Sequence, residues 1–232
     1  MSDTSNLIIQ IMPYAWGAAV SPVVLTGVIL IFSLMKKPKI PIFAFYLGSI
    51  TLLLLVVIFG ILIGLGVVFT GSESHTTKMA IDLVIGAILV ILGLRSFISR
   101  DQNNKGGIFK YLEAGEGASN PSIFGKYYLA GFVLFLFNSS TDVLVLAAGK
   151  EMGLAHAGLL GVVIATTILT IITLLVVEIP IALYLIMPDR FQKILQPLSG
   201  WIAKNGHYLS GLMLLAIGGY LVIKGALGLG IL

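Results

Sequence analysis

The chain contains no cysteine among its 232 residues. That excludes disulfides, thiolate metal sites and a thiol relay across a membrane. Charge is scarce as well: Asp, Glu, Lys and Arg make up 10% of the sequence, too little polar surface to clothe a soluble globule. No Gly-Lys-Ser or Gly-Lys-Thr occurs, so there is no phosphate-binding loop for ATP, and any work must draw on a gradient or a partner. His75, His156 and His207 lie far apart, and no pair has metal-ligand spacing. No metal and no cofactor are expected. The opening Met-Ser-Asp-Thr-Ser-Asn lacks the basic region and small-residue cleavage site of a secretory signal, so the first apolar stretch is expected to be retained.

What the chain has in abundance is apolar length. It is 58% hydrophobic with a mean hydropathy of +1.06, and its long apolar stretches fall at about 7–35, 41–70, 78–98, 126–149, 157–187 and 207–228. A run of roughly 20 apolar residues crosses a bilayer core, and backbone groups in lipid must bond internally, so each stretch reads as a helix. Lys36, Lys37 and Lys39 follow the first span, Arg95, Arg100, Lys105, Lys110 and Lys126 fill the third connection, and Arg190, Lys193 and Lys204 fill the fifth. Only Lys78, Lys150 and Lys224 fall on the other side. The positive-inside rule makes the first set cytoplasmic and leaves both termini extracytoplasmic, in a multi-pass protein of the plasma membrane. The net charge of +4 is accounted for by helix ends against anionic headgroups, not by nucleic acid.

The expected fold class is therefore an all-α integral membrane protein of six transmembrane helices. Residues 1–98 form a first three-helix repeat, 99–125 a Gly/Asn/Ser-rich cytoplasmic linker and 126–232 a second repeat. Three helices per half make this a 3+3 inverted-topology repeat. Leu47-Gly48 recurs as Leu160-Gly161, and Gly86 with Gly93 recurs as Gly211 with Gly218. Between the last two spans, Phe191, Ile194, Leu195, Leu198 and Trp201 or Ile202 recur at helical spacing, a pattern that suits a helix lying in the headgroup layer or an ordinary amphipathic connector, with Pro197 and Gly200 counting against it.

Polar chemistry concentrates in two matched interruptions, Gly17-Ala18-Ala19-Val20-Ser21-Pro22 in the first span and Asn138-Ser139-Ser140-Thr141-Asp142 in the fourth. Pro22 should free the carbonyls near residues 18 and 19, and broken helices at matching midplane positions point to a transport site. Ser21, Pro22, Asn138, Ser139, Ser140 and Asp142 are accordingly the expected substrate-binding residues. Asp142 and Glu178 are the carboxylates set most clearly inside apolar spans. Each needs water, a partner or a proton there, which makes both candidates for proton coupling at two ends of one polar path. Asp82, Arg95 and Lys224 read as interfacial charges, and Lys150-Glu151 as a solvated turn. None of Ser21, Ser139 and Ser140 has a histidine or lysine base at similar depth, so no enzyme is expected.

Ala18 to Ser49, with its Ser-Pro break, short basic loop and Ala-Phe-Tyr-Leu-Gly, resembles the first half of the peptidoglycolipid addressing protein (Sap-like) family of the lysine exporter superfamily. Asn138 to Gly149 is similar to that family's Asn-Pro-Lys segment leading to Leu-Ala-Ala-Gly, and Ile179-Pro180, Gly200-Trp201-Ile202 and Gly218 to Leu227 match its later landmarks. The resemblance implies six helices and movement of a substrate across or within the cytoplasmic membrane. Here Asn138-Ser139-Ser140 stands where the family has Asn-Pro-Lys, with Asp142 nearby, which favours a cationic or proton-coupled substrate. The expected function is a secondary transporter of a lipid or lipid-linked amphiphile. Export of amino acids or other small polar solutes is the alternative, and a non-transporting membrane assembly subunit the next. Membrane lipids and the substrate are the expected partners, and a homo-oligomer is left open.

Overall fold

The computed structural model describes residues 2–35, 37–69, 75–98, 120–155 and 157–231. Among them the chain forms eight helices: α1 (Ser2–Ala19), α2 (Pro22–Leu34), α3 (Lys39–Phe69), α4 (His75–Ile98), α5 (Asn120–Leu136), α6 (Ser139–Leu154), α7 (Gly158–Ile186) and α8 (Pro188–Gly228). Four of these are long and apolar enough to cross a membrane, and the number rises to six when the bent pairs α1–α2 and α5–α6 each count as one span. The set fits a multi-pass membrane protein. Most of the expected linker, residues 99–119, lies outside the described residues, while α5 begins at Asn120, six residues before the expected span. The expected connector is not a separate element: α8 runs unbroken through Pro197 and Gly200 into the last span. A proline forfeits one hydrogen bond and strains the preceding turn, and here the helix absorbs both. Phe191 is buried and Trp201 exposed, whereas the side chains of Ile194, Leu195, Leu198 and Ile202 lie outside the described ones.

Glycines set how the helices meet. Lipid tails offer no hydrophobic drive between helices, so close backbone approach supplies the contact. Gly60 and Gly64 of α3 face Gly149 and Gly153 of α6 in ascending order, so these two helices run parallel. Gly86 faces Gly218 and Gly93 faces Gly211, so α4 and α8 run antiparallel. Along α1 and α6, Gly17 meets Leu144 and Ala18 meets Thr141, again antiparallel. Gly86 and Gly93, which recur as Gly211 and Gly218, thus touch their counterparts across an interface, whereas Gly48 packs on Tyr128 and Gly161 on Thr4. The second span of each half also packs on the broken span of the other half, α3 against α5 and α6, and α7 against α1 and α2.

A Cβ at Gly149 would lie 2.6 Å from the Val57 carbonyl oxygen, whereas one at Gly66 meets nothing. Gly149→Ala should therefore lower stability by about 1–3 kcal/mol, the range for overpacking. Gly66→Ala should leave the thermal midpoint in detergent unchanged or raised.

Candidate functional site

The two interruptions meet. The first span breaks where Pro22 sits at the first position of α2, and Ser21 caps that helix by accepting from the Val24 amide at 3.3 Å. The chain turns 53° there and 77° at the second break. Asn138 spans the gap: its Nδ2 donates to Ser21 Oγ at 2.7 Å and to Thr141 Oγ1 at 2.8 Å, and its Oδ1 accepts from Ser140 Oγ at 3.1 Å. The expected freed carbonyls are both used. Ala18 O accepts from Thr141 Oγ1 at 3.2 Å, and Ala19 O accepts from the Ser21 amide at 3.1 Å.

The geometry divides the six expected binding residues. Ser21, Asn138 and Ser140 belong to one hydrogen-bonded stitch. Pro22 shapes the turn, and Ser139 points outward, exposed. Asp142 lies one turn into α6, partly buried, and among the described residues its carboxylate meets no hydrogen-bond donor. Glu178 is elsewhere, accepting from Tyr46 Oη at 2.7 Å, where α3 begins and α7 nears its end. No hydrogen bond or ion pair joins Asp142 to Glu178 among the described residues. Both amide hydrogens of Asn138 and one lone pair of its carbonyl are engaged, which helps hold α1 to α6.

Charge gathers in a different place, which sequence reasoning passed over. Asp82 of α4 and Lys150 of α6 are each 2% exposed and directly paired. Lys224 of α8 reaches the other Asp82 oxygen at 2.9 Å, and Lys150 Nζ lies 2.9 Å from Glu151 Oε1. Lys150-Glu151 is therefore no solvated turn, and neither Asp82 nor Lys224 is a lone interfacial charge: four charges from three helices neutralise one another. A signal for this was present. With Gly86 opposite Gly218 in an antiparallel pair, one turn before Gly86 comes level with one turn after Gly218, which sets Asp82 within half a turn of Lys224.

Beside the cluster is a cavity of about 560 Å³, bounded by α1, α6 and α8. Ile9, Pro13, Ala216 and Ile217 give it apolar walls, while Gln10, Tyr14, Tyr220, Glu151 and Lys224 supply the polar groups. It reaches the protein's exterior, since Ile9 and Tyr220 are 69% and 63% exposed. It lies where α1 begins and where α6 and α8 finish. At the opposite end Phe32, Tyr184 and Phe191 close together, with ring centroids 4.5 to 5.5 Å apart. The arrangement can hold a molecule with an apolar body and a polar or charged head.

Removing one member of a buried pair strands its partner at a cost of about 3–5 kcal/mol. Asp82→Asn should lower stability by up to that amount, tempered because Lys150 keeps Glu151 and Lys224 is partly exposed. Lys150→Met should also destabilise, because it leaves Asp82 with Lys224 alone and takes the nearest cation from Glu151, both read from unfolding in detergent.

The family model described as Sap, sulfolipid-1-addressing protein, matches residues 11–227. No curated protein and no solved structure matches the chain. The match spans both breaks, all four charges of the cluster and nearly every described helix, and on that footing the chain belongs to the Sap, sulfolipid-1-addressing protein, family.

Proposed function

We propose that this chain is a secondary transporter that moves a lipid or lipid-linked amphiphile across or within the plasma membrane, with the headgroup seated in the cavity between α1, α6 and α8. The observation that carries the reading is the cavity's composition. Apolar walls open to the exterior beside a lysine, a glutamate, two tyrosines and a glutamine, as an amphiphile lying half in lipid requires. The family's description points to a sulfolipid, and Lys224 supplies a cation for an anionic head. Tyr14, Tyr220, Gln10 and Glu151 suit hydroxyls.

The same reading takes the six spans as a 3+3 inverted repeat akin to lysine exporters, with both termini extracytoplasmic. Antiparallel α4 and α8, and the exchange of second spans between the halves, support it. The cavity then faces the extracytoplasmic side, and Phe32, Tyr184 and Phe191 close the cytoplasmic end. The stitched breaks serve as the hinge, while Asp142 and Glu178 are the groups available to carry a proton. The protein acts without covalent chemistry. One observation favours amino-acid export as a second reading: Lys224 and Glu151 line one cavity, matching the two charges of a zwitterion.

Purified protein in liposomes separates these. Labelled anionic glycolipid should cross the bilayer with accompanying proton flux, and Lys224→Met should slow it about tenfold, the loss of one charged hydrogen bond. Asp142→Asn should abolish the proton flux. Movement of amino acids without movement of lipid would overturn the reading.

A further inference from the structure

Asp82 holds one lysine on each carboxylate oxygen, Lys150 on Oδ1 and Lys224 on Oδ2. The two lysines differ in access. Lys150 is 2% exposed and also lies beside Glu151, whereas Lys224 is 35% exposed and lines the cavity. A molecule entering the cavity therefore meets Lys224 and not Lys150. If Lys224 turns to it, Asp82 still keeps a counter-ion, so neither the carboxylate nor the buried ammonium is stranded.

We propose that Asp82 is the positioning residue of the cavity, handing Lys224 over to an anionic headgroup while retaining Lys150 as its own counter-ion. This rests on the reading of the cavity as an amphiphile's seat. After the exchange Lys150 serves both Asp82 and Glu151, so every charge keeps an opposite neighbour, while the pull of both carboxylates on the lysines keeps the swap reversible. Lys224 is held ready, yet an anion must compete for it, which keeps the headgroup releasable. The exchange also has a mechanical consequence. The Asp82–Lys224 pair joins α4 to α8 beside the close approach of Gly225 to Met79 and Leu83, so handing Lys224 over removes the ionic contact at that end while the backbone contact remains. An anionic headgroup gains its partner only once the ion pair is released, so its presence shifts that pair toward the released state.

The test uses the full-length protein, with octyl sulfate below its micellar concentration as the anionic probe and octyl glucoside as the neutral control. Asp82→Asn removes the competing carboxylate and leaves Lys150 paired with Glu151. This variant should bind octyl sulfate about tenfold more tightly than wild type, because Lys224 no longer has to be released. Its translocation of anionic lipid should fall. A purely structural Asp82 would leave binding unchanged or weaker, and that result in a folded variant overturns the hand-over alone. Wild-type protein that does not distinguish octyl sulfate from octyl glucoside overturns the seat reading as well. Should Asp82→Asn not fold, infrared difference spectra of wild-type protein labelled with carbon-13 aspartate carry the test. Octyl sulfate should shift a carboxylate band that stays fixed in Lys224→Met, and bound probe without a shift overturns the proposal.

Discussion

A charge taken into a low-dielectric bundle must have its counter-charge within reach, and Asp82 shows how far that requirement shapes this protein. An unpaired carboxylate at such depth costs several kcal/mol. Its two lysines come from α6 and α8, so three helices must arrive at one level for the charges to cancel. The glycine contacts make that arrival possible. Gly149 and Gly153 bring the Lys150 segment against α3, and Gly86 with Gly218 brings Lys224 level with Asp82. Packing and electrostatics specify the same register, the agreement between levels that marks a well-determined fold.

The paired breaks and the charge cluster divide the work. Asn138, Ser21, Thr141 and Ala18 satisfy one another where helical hydrogen bonds are lost, so two interruptions that would each expose polar backbone become one joint. The joint lies midway along both spans, and the cluster and cavity lie at one end. A change at the cavity acts on α1, α6 and α8, and α1 and α6 both start or finish at the joint. Asp142, one turn beyond it without a donor among the described residues, is the polar group placed to feel such movement.

Most of the fold was legible in sequence because lipid leaves few alternatives to a helix of bilayer length. The breaks were legible for the same reason: Pro22 and Asn138 are conspicuous in apolar surroundings. Their partnership was not, because hydrogen-bond satisfaction is a pairwise property, and nothing in either segment reveals that Asn138 bonds to Ser21, Ser140 and Thr141. The cluster escaped for a related reason. Asp82, Lys150 and Lys224 each sit near a span end, where a lone charge reads as interfacial, and only the antiparallel register of α4 and α8 turns separate end charges into a buried group. The unbroken course of α8 through Pro197 was likewise invisible to local rules that count proline as a stop.

The central claim is that the cavity beside this cluster opens to the extracytoplasmic side and seats an amphiphile. Because the chain has no cysteine, a single Gln10→Cys, on the exposed face of α1 that lines the cavity, gives one thiol and no background. In intact cells a membrane-impermeant maleimide should label it from outside, and octyl sulfate should slow the labelling more than octyl glucoside does. Labelling only after the cytoplasmic face is exposed, or a rate indifferent to both amphiphiles, would contradict the account.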